Sequence, residues 1–158
     1  KAILCAFEDG IIRIMDALTF EQRHQFQAHE SKITSISWND PYKCFLLTTA
    51  IDHTAKLWDI ETYDLLKTYQ SDRPLNAGVI SPTKEHVLVG GGQDAMSVTT
   101  TSTRGARFET QFYNLVYQDE FGRVKGHFGP INALAIAPDG KSFCSGAEDG
   151  YILLHHFD

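Results

Sequence analysis

The chain has 158 residues, and its 20 acidic side chains against 14 basic ones give a formal charge of −6. No Lys/Arg run supplies the basic stripe that an electrostatic grip on nucleic acid needs, so direct RNA or DNA binding is not expected. No apolar stretch approaches the roughly 18 residues of a membrane-spanning helix, and no charged-then-apolar leader is visible.

An Asp in a tight turn recurs at Asp9, Asp52, Asp94 and Asp149, each time between short runs of alternating residues. The first two intervals match the roughly 40 to 45 residues of a four-stranded propeller blade, and the third is about a dozen residues longer. The first row predicts strands over 2–7, 11–16 and 23–26, with Glu8-Asp9-Gly10 as the hairpin turn; Asp-Gly supplies the positive φ values of a primed turn. The second row predicts strands over 32–38, 43–49, 55–59 and 65–69, broken at Asn39-Asp40-Pro41. The third predicts strands over 75–80, 87–91 and 96–101 and a long outer strand over 108–117, with its excess length between Ser102 and Gly122. The fourth predicts strands over 131–137, 142–145 and 151–157 and lacks an outer strand. No stretch keeps a 3.6-residue period for more than a turn or two.

The expected class is therefore all-β: a propeller fragment of about four blades, over 1–27, 28–70, 71–123 and 124–158. A closed ring takes roughly 4 to 8 blades, and the chain opens in what reads as the middle of one, so a C-terminal portion of a longer propeller is expected. Cys5, Cys44 and Cys144 fall on the second strands of different rows without CxxC spacing, which points to reduced core thiols and a cytosolic or nuclear setting.

Row two carries His29, Thr48, Asp52 and Trp58, residue types that can bond in sequence: the turn Asp accepts from His, His meets the Thr hydroxyl, and the hydroxyl meets the indole N–H. Each bond satisfies a group whose burial unpaired would cost about 1–3 kcal/mol. Row four repeats His127, Ser145 and Asp149 at the same offsets, with His155 where Trp would stand. Row three has Asp94 with Ser71, Gly90 and Thr100 at the other positions, and row one has Asp9 with Cys5 and Met15. Ser145, His127 and Asp149 could be taken for a hydrolase triad, but the same offsets recur with Thr48, which marks a structural brace rather than an exposed nucleophile. No catalytic residue is assigned. His155 and His156 are strand neighbours that point to opposite faces, so no metal is expected there. Gly90-Gly91-Gly92 lacks the following Lys-Ser/Thr and helix of a phosphate loop, so no cofactor is expected; the glycines suit a close backbone approach.

Trp58-Asp59, Ala28-His29 and Gly126-His127 resemble the signatures of WD-repeat propellers. The run from Gly90-Gly91-Gly92-Gln93-Asp94-Ala95-Met96 through Val98-Thr99-Thr100-Thr101-Ser102-Thr103, the run from Glu120-Phe121-Gly122-Arg123 to Gly129-Pro130-Ile131-Asn132, and the ending Gly146-Ala147-Glu148-Asp149-Gly150-Tyr151 with His155-His156-Phe157-Asp158 resemble the subunit i family of eukaryotic translation initiation factor three. That family's last blade usually carries Gly-Gly where this chain has Gly146-Ala147. The resemblance implies a seven-bladed propeller of which the four rows are blades four to seven. It also implies a cytoplasmic, non-enzymatic scaffold that joins subunits b and g and works on the small ribosomal subunit during scanning and start-codon selection.

In an antiparallel four-stranded blade the first and third turns emerge on one face, so Asp40 shares a face with Asp59, Glu61 and Asp64. An acidic patch of this kind suits a helix carrying Arg and an aromatic anchor. The resemblance also points to Leu57 and Asp59 as docking positions for a C-terminal helix of subunit b; the plainer alternative is that Asp59 closes its strand and the others are solvated. Residues 103–117 offer a second surface, either an edge for a partner such as subunit g or packing within their own blade. A different class, a WD-repeat adaptor of a ubiquitin ligase or signalling complex, would read a short peptide through a basic ring at the top entrance; few Lys/Arg stand near those turns.

Overall fold

The computed structural model describes residues 1–38, 44–92 and 108–157. Among them, 14 strands form four antiparallel sheets in which each strand pairs only with its neighbours in sequence. The first sheet is β1 (Ala2–Ala6), β2 (Ile11–Asp16) and β3 (Gln22–Gln27). The second is β4 (Ile33–Trp38), β5 (Phe45–Ala50), β6 (Thr54–Asp59) and β7 (Leu65–Gln70). The third is β8 (Leu75–Ile80), β9 (His86–Gly91), β10 (Phe108–Asn114) and β11 (Glu120–His127). The fourth is β12 (Ile131–Ile136), β13 (Ser142–Ala147) and β14 (Ile152–His156). Among the described residues no helix is long and apolar enough to cross a membrane.

Burial explains the strand sequences. The strand β5, Phe-Leu-Leu-Thr-Thr-Ala, is covered on both faces and so reads as a continuous small and apolar run. Successive side chains leave opposite faces. Leu46 therefore joins Ile12, Ala28, Ile33 and Trp58 against the first sheet, while Leu47 joins Leu57, Tyr69, Leu75, Val89 and Tyr113 against the third. Leu88, Phe112 and Phe143 fill the next layer, between the third and fourth sheets. The sheets thus stand in a row, each packed face to face on the next, as consecutive propeller blades do. Outer strand β3, Gln-Arg-His-Gln-Phe-Gln, is polar and mostly exposed, which guards its free edge.

Polar links cross the same boundaries. The buried Tyr69 hydroxyl on β7 donates to the Leu115 carbonyl at 2.9 Å, and Tyr113 on β10 returns a bond to Gln70 O at 2.8 Å. Gly10, at φ 77°, accepts at its carbonyl from the N–H groups of Ala28 and His29; a Cβ there would meet the His29 carbonyl oxygen at 2.0 Å. Gly91 likewise leaves room for Pro74, whose carbonyl oxygen would stand 2.1 Å from an added Cβ.

The third sheet differs from the sequence expectation. The outer strand expected over 108–117 is instead β10, the third strand, hydrogen-bonded to β9 on one edge and β11 on the other. A strand paired on both edges is interior, so Phe112 and Tyr113 are core residues, at 5% and 2% exposure. Outer strand β11 runs on to His127, past the boundary expected at 123. The extra length therefore lies between β9 and β10; the strand expected over 96–101 falls outside the described residues.

Candidate functional site

In the second sheet four side chains from four places form one chain of donors. His29 leaves the β3–β4 connection, Thr48 sits on β5, Asp52 in the β5–β6 turn and Trp58 on β6. The Trp58 Nε1–H donates to Thr48 Oγ1 at 3.0 Å, Thr48 Oγ1 lies 2.7 Å from His29 Nε2, and His29 Nδ1 lies 3.0 Å from Asp52 Oδ2. Since the indole N–H can only donate, the consistent pattern has the Thr48 hydroxyl donating to His29 Nε2 and the His29 Nδ1–H donating to Asp52. Thr54 adds a hydroxyl 3.0 Å from His29 Nδ1 and donates to Asp52 Oδ1 at 2.7 Å. The Lys56 ammonium donates to Ala28 O at 2.8 Å, and the Trp58 ring packs on Phe26 of β3 at 4.9 Å.

Burial sets the charge state. His29 is 1% exposed, and burial lowers its pKa more than the Asp52 carboxylate raises it. Burial pushes Asp52 up, but the Thr54 bond and His29 outweigh it and hold the carboxyl below its usual value. The His29–Asp52 contact is therefore a hydrogen bond donated by a neutral ring to a carboxylate at neutral pH. Thr48 is fully buried, so its hydroxyl has no route to a substrate.

The fourth sheet contains a second copy. His127 Nδ1 lies 3.0 Å from Asp149 Oδ2 and Nε2 lies 2.8 Å from Ser145 Oγ; Asp149 also accepts the Phe128 and Tyr151 N–H groups. Those two backbone bonds hold the Asp149 carboxyl below its ordinary value. His155 stacks on Phe143 at 4.7 Å, and Ser145 is 1% exposed. These dimensions suit a brace, as in the second sheet, rather than an open nucleophile.

The third sheet uses other chemistry, which the sequence reading missed. Asp94 and Thr100 lie outside the described residues. Ser71 Oγ instead donates to Gln111 Oε1 at 2.6 Å, and Gln111 Nε2 reaches Asp72 at 3.4 Å and Glu120 at 3.3 Å. Beside it Glu109, 2% exposed, faces Arg123 at 3.3 Å, Lys125 at 3.7 Å and Arg73 at 3.8 Å. Arg73 and Arg123 in turn hold the Asp72 carboxyl well below the usual range. The signal was available in Glu109 and Gln111, two long polar side chains one turn of the pleat apart, once their strand is recognised as interior.

The acidic face is built by a turn. Asp59 ends β6, and its Oδ1 accepts the N–H groups of Glu61 at 2.8 Å and Thr62 at 3.1 Å. Glu61 and Asp64 are exposed, and the Ile60 N–H donates to Cys44 O at 2.9 Å, which brings the β4–β5 and β6–β7 connections to one edge. Partial desolvation and Glu61 push the Cys44 thiol up, away from thiolate reactivity. Leu57 is 3% exposed and belongs to the core cluster with Leu47, Ala55 and Tyr69, so it offers little surface to a partner here. Asp40 lies outside the described residues. Among the described residues no cluster of His, Cys, Asp and Glu could hold a metal ion.

Residues 20–59 and 119–156 match the WD domain, G-beta repeat family. Over its full length the chain is 48% identical to "Eukaryotic translation initiation factor 3 subunit I" of Bombyx mori and covers 48% of that protein. The protein of the same name from Kluyveromyces lactis is 48% identical over 158 residues, with 45% of it covered, and that of Taeniopygia guttata is 46% identical over 156 residues, with 48% covered. The chain spans about half the length of these relatives. The described residues are thus all-β, two segments of the chain match the WD domain, G-beta repeat family, and the whole chain is similar to proteins named as subunit I of that initiation factor.

Proposed function

We propose that the chain forms blades four to seven of a seven-bladed WD-repeat propeller and acts as a non-catalytic, cytoplasmic scaffold in translation initiation factor 3. In this role it joins subunits b and g and supports scanning and start-codon selection on the small ribosomal subunit. The observation that carries the reading is the end-to-end similarity to relatives of that name. The buried braces agree with it, because their hydroxyls and imidazoles are spent on holding strands together.

The docking surface for subunit b is the acidic turn after β6, with Glu61 and Asp64 outward, Asp59 shaping the turn and Leu57 in the core of the same sheet. A basic helix with an aromatic anchor complements it. The test is affinity purification of the tagged protein from cytosolic extract followed by mass spectrometry. Recovery of the initiation-factor subunits, with b and g binding directly when purified, is the expected result; recovery of cullin-type ligase components without them would overturn the assignment.

A further inference from the structure

One six-residue turn is repeated on the same edge of three consecutive sheets. Asp16, Asp59 and Asn114 open the copies, and each side-chain oxygen accepts the N–H groups two and three residues on: Leu18 and Thr19 at 2.7 and 3.0 Å, Glu61 and Thr62 at 2.8 and 3.1 Å, Val116 and Tyr117 at 2.9 and 2.9 Å. The fourth residue on, Phe20, Tyr63 or Gln118, returns its N–H to the first carbonyl and has φ of 58°, 62° or 65°. Glycine is the residue this left-handed conformation favours. None of the three is glycine, so each position keeps a side chain despite the strain.

Two copies show what the side chain does. The Tyr63 ring stacks on His24 at 4.6 Å and packs on Phe26 at 5.7 Å, both on β3, the outer strand of the preceding sheet. Gln118 Oε1 accepts the Thr68 N–H at 3.0 Å on β7, again the outer strand of the preceding sheet. Both residues therefore strap their own sheet to the one before it. In the first copy Phe20 is 66% exposed and Leu18 87% exposed. The face of the first sheet turned away from the second carries Ile3, Cys5 and Met15 beside Arg13. Ile3 pairs with Met15 and Cys5 with Arg13, so these side chains leave the face opposite Leu4, Ala6 and Ile12, which pack toward the second sheet. Ile3 is 40% exposed.

We propose that Phe20 is the third copy of this strap and that its partner is the outer strand of a further antiparallel sheet of the same polypeptide, packed on the Ile3 face of the first sheet. The two filled copies select that occupant, since each takes the outer strand of the sheet that precedes it in sequence. The contact rests on the proposed ring, in which a further blade precedes the first sheet, but not on the proposed assembly with other subunits.

The test replaces Phe20→benzoylphenylalanine in the protein expressed from its natural reading frame, followed by irradiation and mass-spectrometric mapping of the crosslink. The expected product is intramolecular, at an outer-strand residue preceding the first sheet in sequence, with a yield well above that from Tyr117→benzoylphenylalanine at a 78% exposed site. Equal yields, or a crosslink to another polypeptide, would overturn the proposal. A second variant, Phe20→Gly, suits the backbone and removes only the ring; it should lower the Tm by about 2–4 °C. An unchanged or raised Tm would also overturn it.

Discussion

The Trp58 indole N–H and the Thr48 hydroxyl meet at 3.0 Å, and the same hydroxyl stands 2.7 Å from His29. Thr48 therefore serves a donor on one side and an acceptor on the other. Thr48→Val keeps the shape but leaves His29 Nε2 and the Trp58 N–H buried without a partner. At about 1–3 kcal/mol for each such group, the loss should be roughly 2–6 kcal/mol. Urea denaturation measures it, and Thr48→Ser, which retains the hydroxyl, should recover most of the loss.

Stability should depend on pH in the range where histidine titrates. The His29 pKa is lowered by burial, as are those of His86 and His155. The unfolded chain takes up these protons near pH 6.5 while the folded one does not, so stability is full above that value and falls as the pH drops toward the folded pKa. Asp52 and Asp149, both held low, extend the decline below about pH 4, where the unfolded carboxylates protonate first. Urea midpoints measured from pH 8 to pH 5, alongside an NMR titration of the His29 ring, would contradict this if they stayed flat.

The buried carboxylate of the third sheet offers a double-mutant test. Glu109 is 2% exposed, but of its cationic partners Arg73 is 12%, Arg123 28% and Lys125 75% exposed, so solvent already screens part of the attraction. Glu109→Met should cost about 1–3 kcal/mol by removing the buried carboxylate that Arg123 and Arg73 face, although Arg73 keeps its closer pair with Asp72 at 2.7 Å. Arg73→Met combined with Glu109→Met should be less destabilising than the sum of the single changes, because both ends of the buried pair are then apolar.

What the sequence disclosed follows from how local each signal is. The Asp-Gly turns and the Trp-Asp pair at the end of β6 are short local signals with strong residue preferences, so they marked the first, second and fourth sheets and gathered His29, Thr48, Asp52 and Trp58 into one group. The third sheet carries its extra length between β9 and β10, which displaced the strand count by one and hid Gln111 and Glu109 within a segment read as an outer edge. The repeated turn was harder still to see. Its left-handed position holds Phe20, Tyr63 and Gln118 instead of glycine, and what they are for appears only when the neighbouring sheet is in place.

The acidic turn yields a prediction that separates binding from folding. Asp59 Oδ1 accepts two backbone N–H groups, so Asp59→Lys would remove a cap of about 1 kcal/mol along with any contact and confuse the two. Glu61→Lys with Asp64→Lys reverses two exposed charges and leaves the cap intact. If this surface receives a basic helix of subunit b, affinity for that subunit should fall by about ten- to a hundredfold while the Tm stays within a degree or two. The wild-type affinity should itself weaken as salt is raised, because the pairs lie within reach of screening ions. Asp59→Asn keeps the accepting oxygen and loses only charge, and should therefore sit between the two. Calorimetry with purified subunit b reads all three, and equal affinities across the series would show that the carboxylates are merely solvated.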